Sequence, residues 1–152
     1  EIAFGGEESG GFGYGMHIPE RDGVFSSLLL LEMLAVSGYS KLSEYFKMRQ
    51  SDLGLVHYDR IDLKYDRPDK NDLLPHLSQH TPESIGEWPI VDVQRFLSSR
   101  GIVNGLKFLL GPCRWLLMRS SETENIVRFY AEGQSDEEVK RLLSCGREIL
   151  GI

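Results

Sequence analysis

Leu106-Lys107-Phe108-Leu109-Leu110-Gly111-Pro112-Cys113-Arg114-Trp115-Leu116-Leu117-Met118 is the stretch that decides the fold. Leu106, Phe108 and Leu110 recur at every second position, and Leu116 and Met118 alternate against Trp115 and Leu117. A period of two puts one set of side chains on one face of an extended chain. Gly111-Pro112 separates the two runs as a turn, so the spacing predicts a β-hairpin with one buried face. Downstream, Ile126–Ala131 reads as a further strand. Ser135-Asp136-Glu137-Glu138 has the form of a capping box, and Val139, Leu142, Leu143, Ile149 and Leu150 supply the apolar stripe of the helix it would start. Upstream, Ile61, Leu63 and Tyr65 alternate with Arg60, Asp62 and Lys64, a half-buried strand. Leu73, Leu74 and Leu77 suggest a short helix with Pro75 near its start. Residues 78–89 look like loop, and Val91 and Val93 mark another strand. The sum predicts an α+β domain: about four antiparallel strands, with two helices on one face.

The first third reads differently. Residues 5–23 hold seven of the sixteen glycines, a density that breaks regular structure and lets backbone approach a ligand. Asp22 then predicts the N-cap of a helix over Val24–Val36 that is apolar almost all round, as a helix buried on several sides would be. Gly38 suits its C-terminal end, and Ser40 can cap a second, amphipathic helix reaching about Arg49. The pattern changes at Gln50–Gly54. The chain opens without methionine on Ile2-Ala3-Phe4, which reads as the end of a strand, so the expectation is a piece of a longer protein.

Composition narrows the function. The 152 residues are 41% hydrophobic and 26% charged, ordinary for a globular chain, with a net charge of -6. No Lys/Arg cluster offers a nucleic-acid surface, no basic-then-apolar leader is present, and the apolar run Leu28–Leu31 falls far short of the roughly 20 residues of a membrane span. Cys113 and Cys145 lack metal-ligand spacing and read as free thiols. These features predict a cytoplasmic protein with neither nucleic acid nor membrane as partner.

Two loops carry chemistry. In Gly5-Gly6-Glu7-Glu8-Ser9-Gly10-Gly11, the Glu7 carboxylate can accept from adjacent sugar hydroxyls, with the Ser9 hydroxyl beside it. Alone, the run reads more readily as a solvated acidic turn than as a site. His17-Ile18-Pro19-Glu20-Arg21-Asp22-Gly23 follows, placing Arg21 at a helix N-terminus that favours an anion and adding a histidine that titrates near neutrality, or one that merely decorates a surface loop. The second loop is Arg119-Ser120-Ser121-Glu122-Thr123-Glu124-Asn125, with Arg128 on the following strand. Arg119, Ser121 and Thr123 match what a phosphate dianion needs, a guanidinium and short hydroxyl donors. Glu122 and Glu124 favour instead a plain polar turn unless they face away.

Together the loops resemble those of the α-D-phosphohexomutases, the phosphoglucomutase, phosphomannomutase and phosphoglucosamine mutase family. The first is similar to that family's Gly-Glu-x-Ser-Gly sugar loop and the second to its Arg-x-Ser-x-Thr-Glu-Pro phosphate loop. Asn125 stands where Pro is usual, and Glu122 where Gly or Asn is usual. The resemblance implies that residues 1–50 end the family's α/β third domain and that residues 51–53 are a hinge. It implies further that residues 54–152 are the fourth domain, with a fold like that of the TATA-box-binding protein. It implies that Glu7 and Ser9 hold sugar hydroxyls, that Arg119, Ser121, Thr123 and the Glu122 backbone hold a phosphate, and that Arg21 and His17 neighbour the transferred phosphate. The family's Ser-His-Asn-Pro and Asp-Gly-Asp-x-Asp-Arg motifs are not in this sequence. The phosphoserine and Mg2+ are therefore expected from N-terminal domains of a longer parent, with glucose 1,6-bisphosphate as its activator, and this stretch alone is expected to be inactive. The alternatives are a non-catalytic sugar-phosphate module, a phosphoglucosamine mutase fragment, and a structural α+β domain that binds a protein.

Overall fold

The computed structural model describes residues 3–7 and 10–152. It separates into two compact units, Glu1–Gly54 and Leu55–Ile152.

In the first unit, β1 (Phe4–Gly6) and β2 (Phe12–Tyr14) form an antiparallel ribbon, Gly5 opposite Gly13 and Gly6 opposite Phe12. The glycine-rich run thus does not abolish regular structure. Helix α1 (Gly23–Ser37) begins at Asp22, whose carboxylate accepts from the Phe25 N–H at 2.9 Å, and ends at Gly38 with φ 78. Its apolar sides are not buried: Leu28 is 59% exposed and Leu31 63%. Sequence shows that a helix is apolar all round; burial needs neighbours, and this unit supplies few. Helix α2 (Leu42–Leu53) has Lys41, not Ser40, as its N-cap residue. It also runs four residues past Arg49, so positions 51–53 are its last turn, and the chain leaves helical geometry at Gly54 (φ 91).

The second unit is α+β. Its main sheet has five strands rather than about four, all antiparallel, in the order β3 (His57–Lys64), β9 (Ile126–Gly133), β8 (Trp115–Ser120), β7 (Val103–Leu109), β6 (Asp92–Leu97). The register sets Leu106 opposite Met118, Met118 opposite Phe129, and Phe129 opposite Ile61, one apolar row across four strands. A second row joins Phe108, Leu116 and Ala131. Both rows lie on the face covered by α3 (Lys70–Gln79) and α4 (Asp136–Leu150), whose Leu74, Leu77, Val139, Leu142 and Leu143 complete one core. Against edge strand β6 the register shifts between Phe96 and Leu97, because β7 carries one extra residue there, Asn104, a bulge.

The sequence expectations differ at three places here. Helix α3 begins at Lys70, so Pro75 is its sixth residue and leaves the Asn71 carbonyl without the usual donor. Within residues 78–89, β4 (Ser84–Ile85) and β5 (Trp88–Pro89) pair as a minimal ribbon that buries Ile85 and Trp88. The capping box forms by half. Ser135 accepts from the Glu138 N–H at 3.1 Å, but the Glu138 carboxylate takes Arg114 and the Gln134 N–H, one residue before the cap, in place of the Ser135 N–H. Cys113 and Cys145 are free thiols.

Candidate functional site

The first loop hangs from the β1–β2 ribbon. The Glu7 N–H donates to the Gly11 carbonyl at 2.9 Å and the Gly10 N–H to the Glu7 carbonyl at 3.0 Å, with Gly10 at φ 88, where glycine is favoured. Arg21 reaches back across the loop, its Nη1 at 2.7 Å from Glu7 Oε2. That contact needs Gly11, because a Cβ there would stand 2.6 Å from the Arg21 Cδ. The Glu7 hydrogen bond, then that of Glu20, raises the Arg21 guanidinium above its ordinary range. The Arg21 backbone N–H lowers Glu20. Gly5, Gly6, Glu7, Pro19, Glu20 and Arg21 line an open cleft of about 510 Å3. Glu7, expected to hold sugar hydroxyls, and Arg21, expected beside the transferred phosphate, are therefore brought together at this cleft; Ser9 lies outside the described residues.

His17 has a different setting. Its Nε2 lies 2.8 Å from the Asp22 carboxylate, and its ring stacks on Phe25 with centroids 4.1 Å apart. Asp22 thus both caps α1 and holds His17. The Phe25 N–H first and His17 second keep its carboxyl below the usual range.

The second loop joins β8 to β9. Strand alternation puts Met118 and Ser120 in the core and Arg119 on the opposite, open face of the sheet, beside its register partner Arg128. Arg119 is exposed and, among the described residues, has no carboxylate at ion-pair distance. The two acidic residues that argued against an anion site are tied off. Asn104 Nδ2 donates to Glu122 Oε1 at 2.7 Å, with Ser99 Oγ at 3.3 Å from Oε2. Arg128 Nη2 holds Glu124 at 2.7 Å. The Glu122, Thr123 and Asn125 N–H groups have no acceptor among the described residues.

Ser121 is placed otherwise than its motif position suggests. It is 7% exposed, and its hydroxyl accepts from the Glu124 N–H at 3.2 Å, closing its own turn. Arg119 and Thr123 are thus presented to solvent, while Ser121 shapes the loop from inside. Sequence reading did not find three other participants: Lys70 under the loop, the Ser98–Asn104 hairpin tip that orients Glu122, and Ser120, whose buried hydroxyl has no partner among the described residues. These residues border a cavity of about 260 Å3. Only the register of distant strands assembles them, so no local pattern marks them. No single helix among the described residues is long and apolar enough to cross a membrane.

Known proteins match both units. Residues 1–51 match "Phosphoglucomutase/phosphomannomutase, alpha/beta/alpha domain III", and residues 68–144 match "Phosphoglucomutase/phosphomannomutase, C-terminal domain". A phosphoglucosamine/phosphogalactosamine mutase of Sulfurisphaera tokodaii is 34% identical over 147 residues, covering 96% of this chain and 28% of that protein. A phosphoglucomutase of Komagataeibacter xylinus is 32% identical over 142 residues, 86% of this chain and 24% of that protein. A crystal structure from Thermus thermophilus, named as a phosphomannomutase, aligns with a TM-score of 0.62 at 35% identity, over 98% of this chain and 26% of that one. The chain therefore spans about a quarter of the length of the relatives it matches.

Proposed function

We propose, since this chain belongs to the phosphoglucomutase/phosphomannomutase family, that it is the substrate-binding C-terminal part of an enzyme that interconverts hexose 1-phosphate and hexose 6-phosphate. Residues up to Gly54 would close the sugar-binding third domain, and residues from Leu55 would form the phosphate-binding fourth. The observation that carries this reading is the state of loop 119–125: among the described residues, a guanidinium with no carboxylate at ion-pair distance, three N–H groups without an acceptor, and both neighbouring carboxylates held by other partners. A dianion placed there gains charge-assisted bonds without first displacing an internal ion pair.

In this reading Arg119, Thr123 and the Glu122 N–H grip the phosphate that is not transferred, and Ser121 keeps their turn closed. Glu7 and Ser9 take the sugar hydroxyls. Arg21 would pass from Glu7 toward the transferred phosphate, with His17 nearby. A fixed phosphate grip and a fixed hydroxyl grip let one sugar bind in two reversed orientations, which such an interconversion requires. The phosphoryl donor and Mg2+ would come from the parent's other domains. This chain's residues do not fit the metal, because no three His, Cys, Asp or Glu side chains gather among the described residues. Alone, the chain would bind and orient without turning over.

Glu7-Glu8-Ser9 favours glucose or mannose phosphates, whereas the Sulfurisphaera relative's name favours amino sugars. Isothermal titration of the 152-residue chain with glucose 1-phosphate, glucosamine 1-phosphate and glucose tests all of this. Phosphate-dependent binding that falls at least about tenfold in Arg119→Ala is expected, since a charge-assisted pair is lost. Binding unchanged by that substitution overturns the assignment.

A further inference from the structure

Three carbonyls of loop 121–125 point at one short segment of chain. Lys70 Nζ donates to the Ser121 carbonyl at 2.9 Å and to the Glu124 carbonyl at 2.6 Å. The Tyr65 N–H donates to the Asn125 carbonyl at 2.8 Å. Lys70 is the first residue of α3, and Tyr65, itself buried in the core, follows β3 directly, so one anchor starts a helix and the other adjoins a strand.

The geometry of the peptide bond turns these contacts into a directional device. In a planar trans peptide the C=O and the following N–H point opposite ways. Fixing the Ser121 carbonyl toward Lys70 therefore aims the Glu122 N–H away from it. Fixing the Glu124 carbonyl does the same for the Asn125 N–H. These two N–H groups are among those with no acceptor among the described residues. An ammonium on the oxygen side also polarises both amides, strengthening what their hydrogens offer an anion in front.

We infer that Lys70 is a positioning residue of the phosphate grip: it acts through the Ser121–Glu122 and Glu124–Asn125 peptide units without touching the ligand. The inference rests on the reading of loop 119–125 as a phosphate site and adds to it a group no loop motif contains. A lysine suits the role because its compact head carries three donors, of which two are used here.

The test compares wild type, Lys70→Met and Lys70→Arg by amide NMR without ligand, then by titration with glucose 1-phosphate. In Lys70→Met the Glu122 and Asn125 amide signals should move or broaden while the α4 signals stay in place. Affinity should fall about tenfold, the scale of losing charge-assisted bonds, and Lys70→Arg should recover most of it. Unmoved Glu122 and Asn125 signals, affinity within twofold of wild type, or no advantage of Arg over Met would each overturn the inference. Should Lys70→Met not fold, Lys70→Arg decides alone: affinity within about threefold of wild type supports the role of the cation, and a loss of tenfold or more refutes it. A wild-type chain that binds no glucose 1-phosphate would sink the phosphate reading, whereas the ligand-free amide signature reports on Lys70 separately.

Discussion

Replacing Glu138 by Gln should weaken the second unit at neutral pH and leave it almost unchanged in acid. Glu138 lies in the first turn of α4, and its carboxylate takes the Nε and Nη2 of Arg114, with the Gln134 N–H at 3.4 Å. The side chains are only 17% and 11% exposed, and the guanidinium also lies 5.7 Å from the Trp88 ring centroid. Removing one partner of a buried ion pair typically costs about 3–5 kcal/mol, because the survivor is left uncompensated. Both groups here keep some contact with water, and Gln can still accept one bond, so about 2 kcal/mol is expected. For a unit of this size that corresponds to a melting point lower by roughly 10 °C. The Arg114 hydrogen bond is the main force holding the Glu138 carboxyl below its ordinary range, against the upward push of burial. A group lowered in this way stabilises the fold above its unfolded pKa, and the stabilisation is lost as pH falls through the folded value. The gap between wild type and Glu138→Gln should thus be constant from pH 7 to about 5 and close as the pH drops below about 4. Urea unfolding followed by tryptophan fluorescence reads the right unit, since Trp88 and Trp115 are the two tryptophans of the chain. An equal gap at pH 3 and pH 7, or no gap at pH 7, refutes the reasoning.

Three further outcomes are expected. Glu122→Gln should raise affinity for glucose 1-phosphate about threefold at low salt, with the gain shrinking at 0.5 M salt, because it deletes a negative charge beside the grip but keeps an acceptor for Asn104; weaker binding in a calorimetric titration would contradict this. Gly146→Val should lower the urea midpoint by the equivalent of about 2 kcal/mol, because even a Cβ there would lie 3.0 Å from Phe129 Cδ1 and 3.1 Å from Leu116 Cδ2. Ser135→Ala should cost about 1 kcal/mol through loss of the α4 N-cap, and Ser135→Asp should not, as amide exchange in the first turn of α4 would show.

The sheet was legible where one face is dry and the other wet. Alternation at Leu106–Leu110 and at Ile61–Tyr65 is written by that asymmetry. What escaped the sequence depended on partners distant in the chain. The β4–β5 ribbon is too short to show a period, yet it buries Ile85 and Trp88 against residues far along the chain. The start of α3 was hidden in Asp66-Arg67-Pro68-Asp69, whose polarity reads as loop. Helix α1 showed the opposite failure: its composition suggested burial, but composition records only what a helix could cover. At the candidate site the residue types of loop 119–125 were readable, and the atoms in use were not. Ser121 turned its hydroxyl inward, Glu122 was captured by Asn104, and Lys70 came under the loop from more than fifty positions away.

The bulge that β7 makes against β6 bears on how this domain behaves in a crowded solution. A sheet with two free edges can grow by adding a strand from another copy, and β6 carries exposed Phe96 and Leu97 that would reward such growth. Opposite those two residues β7 carries one extra residue, Asn104, and a bulge of this kind sharpens the local twist, turning the edge away from a flat template where it is apolar. That irregular step works against growth of the sheet, and deleting the extra residue of β7 would be expected to flatten the edge and make the domain a better template for its own aggregation.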